Sequence, residues 1–128
     1  MVKIFLDSGD WGVIRKYHSQ VDGITTNPTL LRNAGATQYQ DAVRWLVSCA
    51  GGKPISLEVV GDDLTEMENE ARSLAKYGEN VYVKIPITNT QGESTSNIIR
   101  RLSTNDGIKL NITAIMTFEQ IRVAARCL

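Results

Sequence analysis

The sequence predicts an α/β fold in which helices cover a parallel β-sheet, and two observations support this prediction. Strand-like segments alternate with segments of helical periodicity along all 128 residues, and the strand-to-strand spacing fits one βα unit. Each of the five predicted strands also places a polar residue near its C-terminal end. Strands of a parallel sheet are usually apolar throughout, so this repeated exception is typical of a (β/α) barrel whose chemistry takes place at the strand ends.

Five segments have the composition of β-strands. Each is a short run rich in apolar or β-branched residues, and the second ends at Pro28, because proline cannot donate to a sheet ladder. The predicted strands are residues 3–7, 21–28, 55–60, 81–88 and 108–115.

Helical periodicity follows each strand, and several helix boundaries carry capping signals. Thr37 is expected to cap the second helix, whose apolar stripe begins at Tyr39 and which a pair of glycines ends. The Asp62-Asp63 pair opens the third helix, and Thr117 begins a capping box for the last one. No linker or low-complexity segment divides residues 1–128, so we expect a single domain.

Composition excludes several classes of partner. Fourteen basic residues balance fourteen acidic ones, so no net field attracts nucleic acid or an anionic membrane. The N-terminal apolar run is too short for a signal peptide, and no segment approaches a membrane span. Cys49 and Cys127 lack metal-ligand spacing and are typical of reduced thiols. We therefore expect a cytoplasmic protein that binds no metal.

Lys84 on the fourth strand is the residue on which the functional prediction depends. Side chains alternate along a strand, so Lys84 lies on the face opposite Val83 and Ile85. Partial burial on such a strand favours the neutral amine, which can attack a carbonyl and form a Schiff base. The structural alternative is a lysine on an edge strand that extends into water.

Polar residues on the same face of the other strands form a chemically coherent set. Glu58 can transfer protons to and from a carbinolamine, directly or through a water held with Thr113. Asp7 can take the proton of a substrate hydroxyl as a carbon–carbon bond breaks, while Asn27 and Asn111 hold the substrate. The whole set comprises Asp7, Thr25, Asn27, Ser56, Glu58, Lys84, Asn111 and Thr113. Any one of these residues alone fits a structural role, but the set predicts a class I lyase or transferase for a polyhydroxylated ketone.

Five motifs in the chain resemble those of the transaldolases, specifically the short microbial type. They are Leu6-Asp7-Ser8, Gly23-Ile24-Thr25-Thr26-Asn27-Pro28-Thr29, Ile55-Ser56-Leu57-Glu58-Val59, Val81-Tyr82-Val83-Lys84-Ile85-Pro86 and Leu110-Asn111-Ile112-Thr113. The resemblance implies a (β/α)8 TIM barrel of the class I aldolase type that needs no cofactor. It also implies a dihydroxyacetone unit carried on Lys84 as a Schiff base.

The resemblance further implies a reaction and a role for each residue. The unit would pass from a ketose phosphate, sedoheptulose 7-phosphate or fructose 6-phosphate, to an aldose phosphate. Asp7, Glu58 and Thr113 would serve as catalytic residues, and Thr25, Asn27 and Asn111 as substrate-binding residues. The related fructose 6-phosphate aldolases carry glutamine where Glu58 stands, so Glu58 favours transaldolase over the alternative, an aldolase-type lyase.

The sequence departs from the family in its length. The family continues with three more strands, and the next one brings a serine and an arginine for the substrate phosphate, whereas this chain stops at Leu128. About five βα units leave the first and fifth strands as edges. We expect the chain to be part of a longer protein, because its last helix has no C-terminal stop signal. The alternatives are an incomplete barrel whose edges a partner covers, with a homo-oligomer expected, and an inactive, self-associating module, which is the third functional hypothesis.

A nucleotide-binding α/β domain also has alternating strands and helices. Ser8-Gly9-Asp10-Trp11-Gly12 does not fit the glycine-rich loop of such domains, so this class is rejected. His18 lies away from the strand ends and is not expected to act as a base.

Overall fold

The computed structural model covers residues 1–128 and has five parallel strands in one sheet, ordered as in the sequence. The strands are β1 (Phe5–Asp7), β2 (Gly23–Thr25), β3 (Ile55–Glu58), β4 (Val81–Pro86) and β5 (Leu110–Thr113). The helices are α1 (Trp11–Tyr17), α2 (Pro28–Asn33), α3 (Tyr39–Ala50), α4 (Leu64–Ala75), α5 (Ser96–Arg100) and α6 (Phe118–Cys127). The predicted α/β fold with alternating βα units is confirmed, and it is that of a partial (β/α) barrel.

The capping predictions were confirmed in three places and wrong in one. Gly51 ends α3 with a left-handed φ of 56°, and Thr117 forms the capping box of α6 with Gln120. Asp63 caps α4 by accepting hydrogen bonds from two backbone amides of its first turn. Thr37 does not cap α3: the N-cap residue is Gln38, which makes no capping hydrogen bond through its side chain.

The structure also contains helix α2, which the sequence analysis did not predict. Pro28 was interpreted only as the end of the second strand, but its fixed φ also suits the first position of a helix. Asn27 caps this helix, because its side-chain oxygen accepts a hydrogen bond from the amide of Leu30 at 2.9 Å. The second strand consequently ends at Thr25 instead of Pro28.

Residues 1–58 and 77–81 form one compact unit. Within it, β1 pairs with β2 and β2 with β3, which aligns Asp7 with Thr25 and Thr25 with Ser56. Ile24 and Ile55 are fully buried, as are Ile14 of α1 and Val43 of α3. Their burial fixes which face of these strands is apolar.

Gly23 at the start of β2 allows a close approach within this unit. A Cβ atom there would lie 2.3 Å from the ring of Phe5 and 2.8 Å from the carbonyl oxygen of Pro54. Since no side chain fits at these distances, the close packing around the start of β2 requires glycine.

Residues 59–76 and 82–128 form the second compact unit. Buried and half-buried residues alternate strictly along β4, as the sequence predicted. Val83 and Ile85 are fully buried, together with Ile99 and Leu102. The pattern places Lys84 on the opposite, half-buried face of the strand.

Glu68 on α4 is the centre of an ion-pair network in the second unit. It accepts hydrogen bonds from Arg72 at 2.7 Å and from Arg101 at 2.9 Å, and Arg72 also pairs with Asp106 at 2.9 Å. Arg101 begins a π-helical segment, Arg101–Asn105, that continues α5. Hydrogen bonds from Arg101, with a contribution from Arg72, lower the pKa of Glu68 from 4.5 to about 2. The network therefore joins α4 to the end of α5.

We predict that Glu68→Ala lowers the free energy of unfolding by on the order of 1–2 kcal/mol at neutral pH, because it removes the carboxylate that both arginines share. The pKa of Glu68 is lower in the folded state than its ordinary value. Its contribution is therefore full above about pH 4.5 and is lost as the pH falls towards 2. Urea denaturation at pH 7 and at pH 3 measures both effects.

The matched control is Glu119→Ala, because Glu119 pairs with Arg122 at 3.3 Å on the surface of α6, where both side chains are 68% exposed. An exposed pair contributes little, so this variant should lose less than about 0.5 kcal/mol. Equal losses in the two variants would contradict the importance assigned to the Glu68 network.

Candidate active site

The first compact unit aligns three polar side chains on neighbouring strands. Paired residues of a parallel sheet point to the same face, so Asp7, Thr25 and Ser56 share one face of β1, β2 and β3. The hydroxyl of Thr25 donates a hydrogen bond to Asp7 at 2.8 Å. This bond orients the carboxylate of Asp7, which is itself exposed. Two residues that the sequence predicted for the site are thus in direct contact.

Asn27 lies two residues beyond β2, where it caps α2. Its side-chain oxygen accepts one hydrogen bond, from the amide of Leu30, which leaves the NH2 group and a second lone pair of that oxygen for a further partner. The sequence analysis expected Asn27 on the strand itself. The structure corrects this position: Asn27 lies beyond the strand and caps α2.

Glu58 is the last residue of β3 and is half-buried. The hydroxyl of Tyr39, the first residue of α3, donates a hydrogen bond to the backbone carbonyl of Glu58. Sequence reasoning missed Tyr39, because it was assigned to the apolar stripe of its helix. The contact fixes the backbone from which the Glu58 carboxylate extends.

The second compact unit places Lys84 beside the polar residues of β5. Lys84 is aligned with Asn111, and Pro86 with Thr113, so these four residues share one face. Lys84, Asn111 and Thr113 are all half-buried. β4 is an interior strand of the sheet, which contradicts the alternative of an edge-strand lysine.

The backbone turns sharply where β5 ends. Ala114 follows Thr113 directly and has a φ of 58°, the one positive φ at a residue other than glycine. Such a conformation costs a residue with a Cβ atom roughly 1–2 kcal/mol. Strain of this kind concentrates at functional sites.

Residues 4–127 match the family described as Transaldolase/Fructose-6-phosphate aldolase. The chain belongs to this family. The predicted resemblance to transaldolases is therefore confirmed, and the TIM-barrel fold of the family agrees with the strand order observed.

Several relatives carry the name "Probable transaldolase". Those of Maridesulfovibrio salexigens and Methanococcus maripaludis are each 38% identical over 127 residues, which is 98% of this chain and 56% of the relative. That of Streptococcus pyogenes is 39% identical over 121 residues, which is 93% of this chain and 53% of the relative. The chain thus spans about half the length of these transaldolase-family proteins.

Other polar residues have structural roles in this member of the transaldolase family. His18 contacts the backbone carbonyl of Ala50 at 3.0 Å, and Lys53 donates to the carbonyls of His18 and Val21. Asp22 accepts a hydrogen bond from the amide of Ile4 at 2.7 Å. The structure contains no group of three or more His, Cys, Asp or Glu residues that could hold a metal ion. None of its helices combines the length and apolar character needed to cross a bilayer.

We predict that Asn27→Ala lowers the free energy of unfolding by about 1 kcal/mol, because it removes the cap of α2. Asn27→Asp keeps the oxygen that accepts from Leu30 and should leave stability nearly unchanged. Chemical denaturation of the two variants compares them directly. Equal losses would show that the cap bond contributes nothing to stability.

Proposed function

We propose that the protein contributes the Schiff-base lysine of a transaldolase. In this proposal a dihydroxyacetone unit passes from sedoheptulose 7-phosphate or fructose 6-phosphate to an aldose phosphate. The observation that supports it is Lys84, half-buried on an interior strand and aligned with Asn111, in a chain of the transaldolase family.

Schiff-base formation needs groups that move protons. The amine of Lys84 attacks the keto carbon to give a carbinolamine, which then loses water. We assign the proton transfers of these steps to Glu58, acting directly or through a water held with Thr113. Asp7 accepts the proton of the substrate hydroxyl as the carbon–carbon bond breaks and the remainder of the donor leaves as an aldose phosphate. The enamine left on Lys84 then attacks the aldose phosphate, and hydrolysis releases the new ketose.

The remaining residues of the set bind the sugar in this proposal. Thr25 orients Asp7 through the 2.8 Å hydrogen bond, and Asn27 donates from the NH2 group that the helix cap leaves available. Asn111, aligned with Lys84, is placed to hold groups close to the carbon that the lysine attacks. No cofactor takes part in these steps.

A fructose 6-phosphate aldolase is the second candidate, since the matched family includes both activities. The two differ in what receives the enamine: a proton in the lyase and an aldose in the transferase. Glu58 supports the transferase, because a carboxylate gains and loses protons where an amide cannot.

We also propose a cytoplasmic location, sugar phosphates as the small-molecule partners, and association into a homo-oligomer. Exposed apolar side chains around α6 support the last of these: Met116 is 84% exposed, Phe118 83% and Ile121 50%. Apolar groups clustered on a surface are typical of sites that another protein surface covers. The same observation supports the inactive, self-associating module as a third candidate.

We predict that borohydride traps a covalent adduct when the protein is mixed with fructose 6-phosphate, and that peptide mass spectrometry locates it on Lys84. Lys84→Arg keeps the positive charge but removes the nucleophilic amine, so it should give no adduct. Lys3→Arg, at an exposed lysine near the N-terminus, is the matched control and should be labelled as the unmodified protein is. Labelling of the Lys84→Arg variant at another lysine would reject the assignment.

We predict that Glu58→Gln slows transfer to an aldose phosphate more than it slows cleavage of fructose 6-phosphate, by about tenfold or more, because the fructose 6-phosphate aldolases that the chain resembles carry glutamine at this position. The ratio of the two rates, measured with and without an aldose acceptor, reports the change. An unchanged ratio would remove the basis for assigning transaldolase over aldolase to this chain.

A further inference from the structure

Residues 88–95, which lie between β4 and α5, form a compact loop with a closed base, and we name them the β4–α5 loop. Thr88 and Ser94 form a β-bridge, and the amide of Asn89 donates to the carbonyl of Glu93 at 3.0 Å. The hydroxyl of the fully buried Thr95 donates to the carbonyl of Pro86 at 2.6 Å. Pro86 lies two residues after Lys84, on the same face of β4. The loop is therefore anchored to the strand that carries the lysine.

Asn89 organises the interior of this loop and is only 6% exposed. Its side-chain oxygen accepts from the amides of Gln91 at 3.1 Å and Glu93 at 2.8 Å. Its NH2 group donates to the Glu93 carboxylate at 2.6 Å and to the backbone carbonyl of Asp62 at 3.3 Å. All four hydrogen-bonding positions of the amide are used, and one of them reaches outside the loop.

Asp62 holds the β4–α5 loop from the segment that follows β3. One carboxylate oxygen accepts from the amide of Thr90 at 2.8 Å, and the other accepts from its hydroxyl at 2.6 Å. These two hydrogen bonds lower the pKa of Asp62, so the carboxylate is charged at neutral pH. Three hydrogen bonds thus join the segment at Asp62 to the loop.

The segment at Asp62 is itself fixed to α4. The carboxylate of Glu70 accepts hydrogen bonds from the amides of Val60 at 2.7 Å and Gly61 at 2.9 Å. A series of hydrogen bonds thus links α4 to the segment at Asp62, and that segment to Thr90 and Asn89 of the loop. At its other end the loop is bonded to Pro86 through Thr95. A loop held at its base and at its tip in this way is a rigid wall rather than a lid.

We propose that Asn89 and Asp62 are positioning residues that hold the β4–α5 loop as a wall beside the sugar bound to Lys84. This inference rests on the proposed function. Loops at the C-terminal ends of parallel strands are where α/β barrels bind their substrates. The side chains of residues 88–95 are hydroxyls, amides and one carboxylate, with no basic residue. Such a wall suits the hydroxyl groups of a sugar and not its phosphate.

The decisive variant is Asn89→Asp, which replaces the NH2 donor with a carboxylate 2.6 Å from that of Glu93. The two charges repel, and the loop separates from Asp62. We expect the fructose 6-phosphate concentration that half-saturates borohydride trapping to rise by about tenfold, while the limiting rate of trapping stays within about twofold. The double variant Asn89→Asp/Glu93→Gln again pairs a hydrogen-bond donor with an acceptor. Its half-saturating concentration should therefore return at least halfway to that of the unmodified protein.

The matched control is Asn97→Asp, the same chemical change at an exposed position on α5. It should leave half-saturation unchanged. Asp62→Ala, which removes the two bonds to Thr90, tests the wall independently and decides the question if Asn89→Asp does not fold. Hydrogen exchange of the amides of residues 88–95 should become faster in both Asn89→Asp and Asp62→Ala.

The outcomes separate this inference from the proposed function. Absence of trapping in the unmodified protein would reject Lys84 as a Schiff-base lysine. It would also reject the role proposed for the β4–α5 loop. Normal trapping in the unmodified protein, with unchanged half-saturation in both loop variants, would overturn the wall alone. A fall only in the limiting rate would also overturn it, because the loop would then act on the lysine and not on binding.

Discussion

The register between neighbouring parallel strands is the constraint on which the candidate site depends. Side chains alternate along a strand, so a shift of one residue would move Lys84 into the apolar core and place Val83 on the polar face. Burial of Val83 and Ile85 excludes that shift. The position of the lysine is therefore set by the apolar residues on either side of it. The hydrophobic effect, acting on the apolar residues of β4, aligns Lys84 with Asn111.

Much of the fold could be predicted because its signals are local. The alternation along β4 and the capping box at Thr117 each need only a few adjacent residues, and both are present in the structure. Helix α2 was missed because Pro28 has two compatible interpretations, the end of a strand and the first residue of a helix. The cap bond from Asn27 decides between them, and it becomes visible only in three dimensions. Thr37 was a plausible cap, but the chain enters α3 one residue later.

The candidate site was predictable at the level of residue types and less so at the level of contacts. Polar residues at strand ends stand out in the sequence because their neighbours are apolar. In the structure, strand pairing aligns Asp7 with Thr25 and Lys84 with Asn111, as expected from the alternation of side chains along each strand. The hydrogen bond from Tyr39 to Glu58 and the bonds between Asp62 and Thr90 join residues distant in sequence. No local pattern marks such pairs. Family membership follows from the motifs, whereas the reaction remains a proposal, because the chain spans about half of its relatives.

The π-helical segment after α5 determines how this region responds to the deletion of a residue. A π-helical turn contains about one residue more than an α-helical turn, so it rotates everything that follows by roughly 100° about the helix axis. Asp106, just after the segment, depends on that rotation to meet Arg72. Removing a single residue between Arg101 and Asn105 would give a regular α-helix and still leave Asp106 facing Arg72, whereas an α-helix that kept all five residues would turn Asp106 away from its partner. The π-helical geometry is therefore the one that allows the ion pair between Asp106 and Arg72 to form.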